Sequence, residues 1–189
     1  RFDGTNWTVY TTVTAGLPSD YITSVCADKN GNVWFGTNNG GLVRFDGVTF
    51  RIYNTLNSSI PYDNISIVYA ATDGLIWAGT WGEGAFSFNG TTFTPYNSFR
   101  NGLVSNYIRD ITQDNSGNLW FASGNFSGGG GISRLSNGFF SNITQYNSAL
   151  KGTFFTSVAF DKYNNLWVAA PGEGLQFRQG SRWRIYTPD

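Results

Sequence analysis

The sequence predicts an all-β protein made of four copies of one unit, on three observations. Tryptophans recur at Trp34, Trp77, Trp120 and Trp167, at spacings of 43, 43 and 47 residues. Each lies in a short apolar run bounded by Asn, Asp and Gly, and no segment carries a helical period. Aromatics reach 17% while charged residues are only 13%, a composition that suits short strands and tight turns. A period in the forties with four strands per unit is that of a propeller blade, so the expected architecture is a β-propeller of four-stranded antiparallel meanders.

The first unit defines the pattern. Ile22 to Ala27 is one strand, the Asp28–Asn32 turn leads to Val33–Thr37, Asn38–Gly40 leads to Gly41–Phe45, and Asp46-Gly47 leads to Thr49–Asn54. Asp-Gly between apolar runs predicts a type I′ hairpin, in which both central residues take positive φ. The second unit runs Ile65–Ala71, Leu75–Thr80, Gly84–Phe88 and Thr92–Asn97, with a turn at Thr72-Asp73-Gly74 that reads as shortened. The third runs Ile108–Gln113, Asn118–Ser123, Gly131–Leu135 and Phe139–Tyr146, with four extra residues in the glycine-rich Ser127–Gly131. Insertions in repeats map to loops, often on the binding face. The fourth unit is Phe155–Phe160, Leu166–Ala170, Gly174–Phe177 and Arg182–Thr187, and its Asn164-Asn165-Leu166-Trp167 lacks the turn glycine.

The fourth strand carries an aromatic three residues after the hairpin glycine and a tyrosine six after it: Trp7 and Tyr10, Phe50 and Tyr53, Phe93 and Tyr96, Trp183 and Tyr186. Gly138 departs, with Tyr146 eight residues on. Such periodic aromatics are expected to pack between adjacent blades. The blades are expected at about 20–55, 63–98, 106–148 and 153–188 of a single region 1–189, with 1–12 as the outer strand of a preceding or closing blade. That outer strand is one too many for a simple closed ring of four, so the chain is expected to be part of a larger propeller or to be completed by oligomerisation.

The pattern Trp7-x-x-Tyr10, Gly16-Leu17-Pro18-Ser19-Asp20-x-Ile22, Asp28-x-x-Gly31-Asn32-Val33-Trp34-Phe35-Gly36-Thr37 and Gly40-Gly41-Leu42-x-Arg44-Phe45-Asp46-Gly47 resembles the two-component regulator propeller repeat. The resemblance extends over essentially the whole chain, with drift such as Ala122-Ser123 and Ala169-Ala170 where the first unit has Gly-Thr. It implies the propeller fold and a place in the periplasmic sensor regions of Bacteroidetes hybrid two-component systems, or in secreted and surface proteins of such bacteria. In the sensors these repeats serve to detect glycan fragments. The implied role is a non-catalytic, periplasmic or extracellular ligand-recognition module for carbohydrate; the alternative is a structural or protein-interaction propeller.

Chemistry is sparse. Zero histidines exclude Ser-His-Asp and Cys-His nucleophiles and imidazole metal ligands. The one cysteine, Cys26, lies in a strand and reads as a small core residue, and it excludes an internal disulfide. Asp28–Asn32 and Asp114–Asn118 look superficially like calcium loops but lack the distal glutamate, so they read as turns and no metal or cofactor is expected. Glu83 and Glu173 occupy equivalent Gly-Glu-Gly loops, leaving a polysaccharide lyase or glycosidase as a disfavoured enzymatic reading. Net charge is zero with 12 basic and 12 acidic residues, which argues against nucleic acid, and no apolar run is long enough to cross a membrane as a helix.

A binding face follows from topology. In a meander, the loop between strands two and three shares a face with the connection to the next blade. That face collects Asn38, Asn39, Trp81, Glu83, Asn125, Phe126 and Glu173 from the loops, and Asp20, Tyr21, Tyr62, Asp63, Asn106, Tyr107 and Phe154 from the connections. Aromatics among Asn, Asp and Glu suit sugar stacking with polar groups at the hydroxyls. Trp81 is the foremost candidate, because the other units have no aromatic there. A glycan or another small ligand is the expected partner; a protein partner, or self-association through open blade ends, is the alternative.

Overall fold

The computed structural model describes residues 1–187, so the end of the last expected blade at 188 lies outside the described residues. Blade 1 is β1 (Ile22–Ala27), β2 (Val33–Thr37), β3 (Leu42–Phe45) and β4 (Phe50–Tyr53). Blade 2 is β5 (Ile65–Ala70), β6 (Ile76–Thr80), β7 (Ala85–Phe88) and β8 (Phe93–Tyr96). Blade 3 is β9 (Ile108–Gln113), β10 (Leu119–Ser123), β11 (Ile132–Ser136) and β12 (Phe139–Ile143); blade 4 is β13 (Ser157–Phe160), β14 (Leu166–Ala170), β15 (Gly174–Gln179) and β16 (Arg182–Tyr186). Each is an antiparallel sheet in chain order, as a meander of hairpins requires. Their first strands lie side by side, β1 on β5, β5 on β9 and β9 on β13, so the blades fan around an axis.

Three cores hold the fan together, one between each pair of blades. Trp34, Leu42 and Tyr53 of blade 1 pack against Ile65, Val68, Ile76, Phe86 and Phe88 of blade 2. Trp77 and Ala85 meet Ile108, Ile111 and Phe121 across the next gap, and Trp120 and Ile132 meet Phe155, Val158 and Val168 across the last. A residue of each connection plugs the same gap: Ile60, Leu103 and Leu150. The second strand of blades 1 and 2 must be bare where the next blade's first strand crosses it. A Cβ on Gly36 would stand 2.7 Å from Ile65 Cγ2, and one on Gly79 2.5 Å from Ile108 Cγ2. The threonine that follows each glycine is buried, and its hydroxyl donates to the carbonyl of Gly41 or Gly84 across the loop.

The fan is an open arc. β1 exposes Val25 by 61%, and the far side of blade 4 leaves Leu175 and Tyr186 exposed. Trp167 is correspondingly only half-buried, whereas Trp34, Trp77 and Trp120 are buried under a following blade.

Several local expectations need correction. The stretch 1–12, expected as an outer strand, forms no ladder: Phe2 makes one bridge with Trp7, and the chain then turns through the one-turn helix α1 (Thr12–Ala15), capped reciprocally by Thr11 and Thr14. An outer strand pairs with the third strand of its own blade, and the described residues before Trp7 form none. Tyr10 still packs on Phe45 and Phe50, at ring-centroid distances of 5.5 and 5.2 Å, as Tyr53 packs on Phe88 and Phe93. In blade 3 the tyrosine position is taken by Ile143, which pairs with Ile132 as Tyr53 pairs with Leu42, while Tyr146 lies beyond β12 and is exposed. Ile143 precedes Trp167 by 24 residues, the separation of Tyr53 from Trp77, so the register never slipped. What changed is the hairpin: Asn137 and Gly138 both have positive φ and form a two-residue turn. At Asp46-Gly47 only the glycine has positive φ, and the aspartate instead accepts from the Val48 and Thr49 amides across a four-residue loop. The type I′ expectation therefore fails there, because the side chain organises the turn.

The turns between the first and second strands repeat one device. One Asp28 oxygen accepts from the Asn30 and Asn32 amides, and the other from Asn32 Nδ2 and Trp34 Nε1 at 2.8 Å. Asp114 does the same with Ser116, Asn118 and Trp120, and Asp161 with Tyr163, Asn165 and Trp167. Burial pushes the Asp28 and Asp114 carboxyls up, but the hydrogen bonds from the tryptophan and asparagine outweigh it and both sit below the usual value. For Asp161 the Asn165 side chain leads, and the pKa falls to about 2. With their oxygens taken up by protein donors, these are turns, and no cluster of three acids, histidines or cysteines suited to a metal occurs among the described residues. The missing glycine of blade 4 is replaced by Asn164 at φ 63°. The second unit's turn is not shortened: Ala71 stands where the aspartate would, with the same backbone bonds from Ala71 to Leu75 and from Gly74 to Ala71. Trp77 Nε1 is consequently buried without a partner.

Candidate functional site

The meander places the loops after β2, β6, β10 and β14 on one face, beside the connections that enter the next blade. Backbone bonds tie the two together. Gly41 donates to Asp63 O, Gly84 to Asn106 O and Gly130 to Thr153 O, each across a blade boundary. Asp20 and Asp63 are absorbed in this scaffold, each accepting from the amide and hydroxyl of a threonine in its own connection, and Asn106 accepts from the Ser98 amide.

At blades 2 to 4 the face gathers side chains from three blades. Trp81 forms a bridge with Tyr107, and the Tyr107 ring lies beside Gly82. The Arg109 guanidinium carbon sits 4.0 Å from the Trp81 ring centroid and 5.0 Å from that of Phe154, both within cation–π range. Phe126 reaches over to Phe154 at 4.7 Å between centroids while remaining 90% exposed. The glycines of the third unit's insertion make this convergence possible. A Cβ on Gly130 would stand 2.4 Å from Thr153 O and one on Gly124 also 2.4 Å from it, so only bare backbone lets the loop lie against the Thr153-Phe154 connection.

Arg109 was not among the expected site residues. It lies on β9 at a bulge, between the pairs Ile108–Ser123 and Asp110–Ala122. Bulges re-aim a side chain out of the ladder. The same bulge holds Thr23 in β1 and Ser66 in β5, and Thr156 precedes Ser157 at the matching point of β13. One charged residue in a row of small hydroxyls is a signal that a careful alignment of the units contains. Arg109 Nε donates to Gly124 O at 3.1 Å, and burial lowers its pKa from the ordinary value, with Tyr107 opposing.

The remaining expected residues are dispersed. Tyr21, Asn38 and Asn39 form a separate corner at blade 1, where Asn38 N donates to Tyr21 O and Asn39 takes φ 60° to close the turn. Tyr62 is half-buried in the connection between blades 1 and 2. Asn125 turns its side chain to the Ser127 amide within its own loop. Glu83 and Glu173 stand on loops two blades apart, with the Glu173 side chain packed by Gly152. Cys26 sits at the edge of the first core, and burial raises its thiol to about 11, far from a reactive thiolate.

A family model described as two component regulator propeller matches residues 16–39 and 102–125, which are the segments running from the connection into the second-to-third-strand loop of blades 1 and 3. The match thus covers one segment in each of two blades. Among solved structures, the extracellular domain of the hybrid two component system BT3049 from B. thetaiotaomicron matches with TM-score 0.79 at 21% identity, over 98% of this chain and 25% of that one. A virginiamycin B lyase from Staphylococcus aureus, in a catalytically inactive variant with quinupristin, matches with TM-score 0.71 at 14% identity over 89% of this chain and 56% of that one. PorZ, a surface component of the type-IX secretion system of Porphyromonas gingivalis, matches with TM-score 0.64 at 18% identity over 98% of this chain and 29% of that one. The chain therefore spans about a quarter of the length of that extracellular domain. At these identities the likeness shows the propeller fold. No curated protein matches the chain by sequence.

Proposed function

We propose that the chain is a non-catalytic ligand-recognition module working outside the cytoplasm, and that its ligand is a carbohydrate bound at the corner formed by Trp81, Tyr107, Arg109, Phe126 and Phe154. One observation carries this: side chains from three blades converge there, although the repeat itself requires none of them. Trp81, Phe126 and Arg109 all break the pattern of their units, and none is needed for a core between blades. Arg109 covers one part of Trp81, so a sugar would stack on the aromatic surface left open by Trp81, Tyr107 and Phe126. The repeat's occurrence in blades 1 and 3, and the fold shared with the extracellular domain of a sensor, support the extracytoplasmic setting. The chain has no histidine, and its two loop glutamates lie two blades apart, which favours binding over catalysis.

A glycan-array and thermal-shift screen of the chain and of Trp81→Ala tests this. A specific glycan response lost in the variant is expected. A folded protein that answers to no glycan would overturn it in favour of a second reading, a structural or protein-interaction propeller. That reading draws on the exposed apolar face of blade 1, where Trp7, Val9, Ile22 and Val25 line an open cleft.

A further inference from the structure

Arg109 occupies a position that three other blades fill with Thr23, Ser66 and Thr156. The small hydroxyl residues of the other blades show that the strand itself needs no guanidinium at this point, and a half-buried one without a counter-charge is costly. Its described hydrogen bond uses Nε alone, to Gly124 O, and it has no acidic partner among the described residues. Asp110, the next residue, is already engaged: its carboxylate accepts from Ser157 Oγ at 2.6 Å and from the Val158 amide at 2.9 Å. The Trp81 and Phe154 rings hold the guanidinium between two loops and limit its hydration. The group is thus fixed through one nitrogen and two rings, while its outer nitrogens keep the donor fork that fits an oxyanion in bidentate fashion.

We propose that Arg109 reads a negative charge on the ligand, so that the module selects acidic glycans, bearing a carboxylate or a sulfate, over neutral ones. This rests on the recognition role argued above for the same corner. The aromatic side chains would hold the sugar ring, and Arg109 would meet the anionic substituent at its edge. Arg134 and Arg178 also lie over rings, those of Trp120 and Trp183, but they pair with Trp120 and Leu166 towards the turn end of their blades, and Arg51 and Arg182 are exposed on outer strands.

The test is a calorimetric titration of the chain with four probes: a glucuronate-containing oligosaccharide, its methyl ester, a sulfated galactan oligosaccharide and its desulfated form. Expected are binding of one acidic probe, a neutral counterpart about 10- to 100-fold weaker, and a loss of that discrimination in Arg109→Gln. The carboxylate and sulfate arms distinguish the two sources of charge. Arg109→Lys keeps the charge without the fork and should retain only part of the preference; circular dichroism and melting of both variants establish that they are folded. Equal binding of acidic and neutral probes, unaltered in Arg109→Gln, would overturn charge reading while leaving glycan recognition standing. A folded chain that binds none of these probes, and no glycan on an array, would overturn both.

Discussion

The turn aspartates and Arg109, at opposite ends of the blades, are held in opposite ways. On the turn end, Asp28, Asp114 and Asp161 each gather amide, asparagine and indole donors, so the carboxylates are consumed by the fold. On the loop end of blades 2 to 4, Arg109 is held by aromatic rings and a single carbonyl and meets no opposite charge among the described residues. A group saturated by its own turn stabilises and has nothing left to offer a ligand. A group fixed but unsatisfied is where binding energy can be gained. The contrast separates residues that repeat from residues that break the repeat.

Four measurements can break or sharpen this division. Asp114→Ala should be the most destabilising, costing about 2 kcal/mol in urea unfolding, because it orphans the Trp120 indole and the Asn118 amide together. Its ligand response should be unchanged; a protein as stable as the parent would show that the turn carboxylate is not structural. Ala71→Asp should act in the opposite sense and add up to about 1 kcal/mol, since it supplies the acceptor that buried Trp77 Nε1 lacks. No gain in melting temperature would mean that a carboxylate at position 71 does not satisfy the Trp77 indole.

The third measurement is the melting temperature as a function of pH. The turn carboxylates are lowered in the folded chain, Asp46 and Asp161 to about 2 against an ordinary 3.8, so the unfolded chain takes up protons first on acidification. Their contribution should be complete above about pH 4 and fade as pH falls through the folded values. A melting temperature flat from pH 5 to pH 2.5 would contradict it. Trp81→Ala and Arg109→Gln should have the smallest effect on stability, under about 1 kcal/mol, because neither side chain belongs to the cores between blades. A loss above about 2 kcal/mol in either would recast the corner as a clasp between loops.

Local pattern settled most of the architecture in advance. The recurrence of Trp34, Trp77 and Trp120, the turn glycines and the strand-sized apolar runs each express a local rule, periodicity or left-handed backbone, that repeats with every blade and so is visible in one dimension. The pattern misleads at Tyr146, because a two-residue hairpin at Asn137-Gly138 puts the blade position at Ile143, a non-aromatic residue. The face on which Trp81, Tyr107, Phe126 and Phe154 lie was legible for the same reason, since meander topology sorts loops by parity.

Which of those residues meet was decided in three dimensions. Trp81, Arg109 and Phe154 belong to three blades, and their contact depends on the crossing of first strands at bare glycines and on a glycine-rich loop lying against Thr153. Arg109 looked like one more strand residue, because a bulge that re-aims a side chain comes from the register between two strands, here β9 against β10. Open blade ends are expected from the surplus strand, but which side chains they leave uncovered, Val25 at one end and Tyr186 at the other, is a property of the assembled blades.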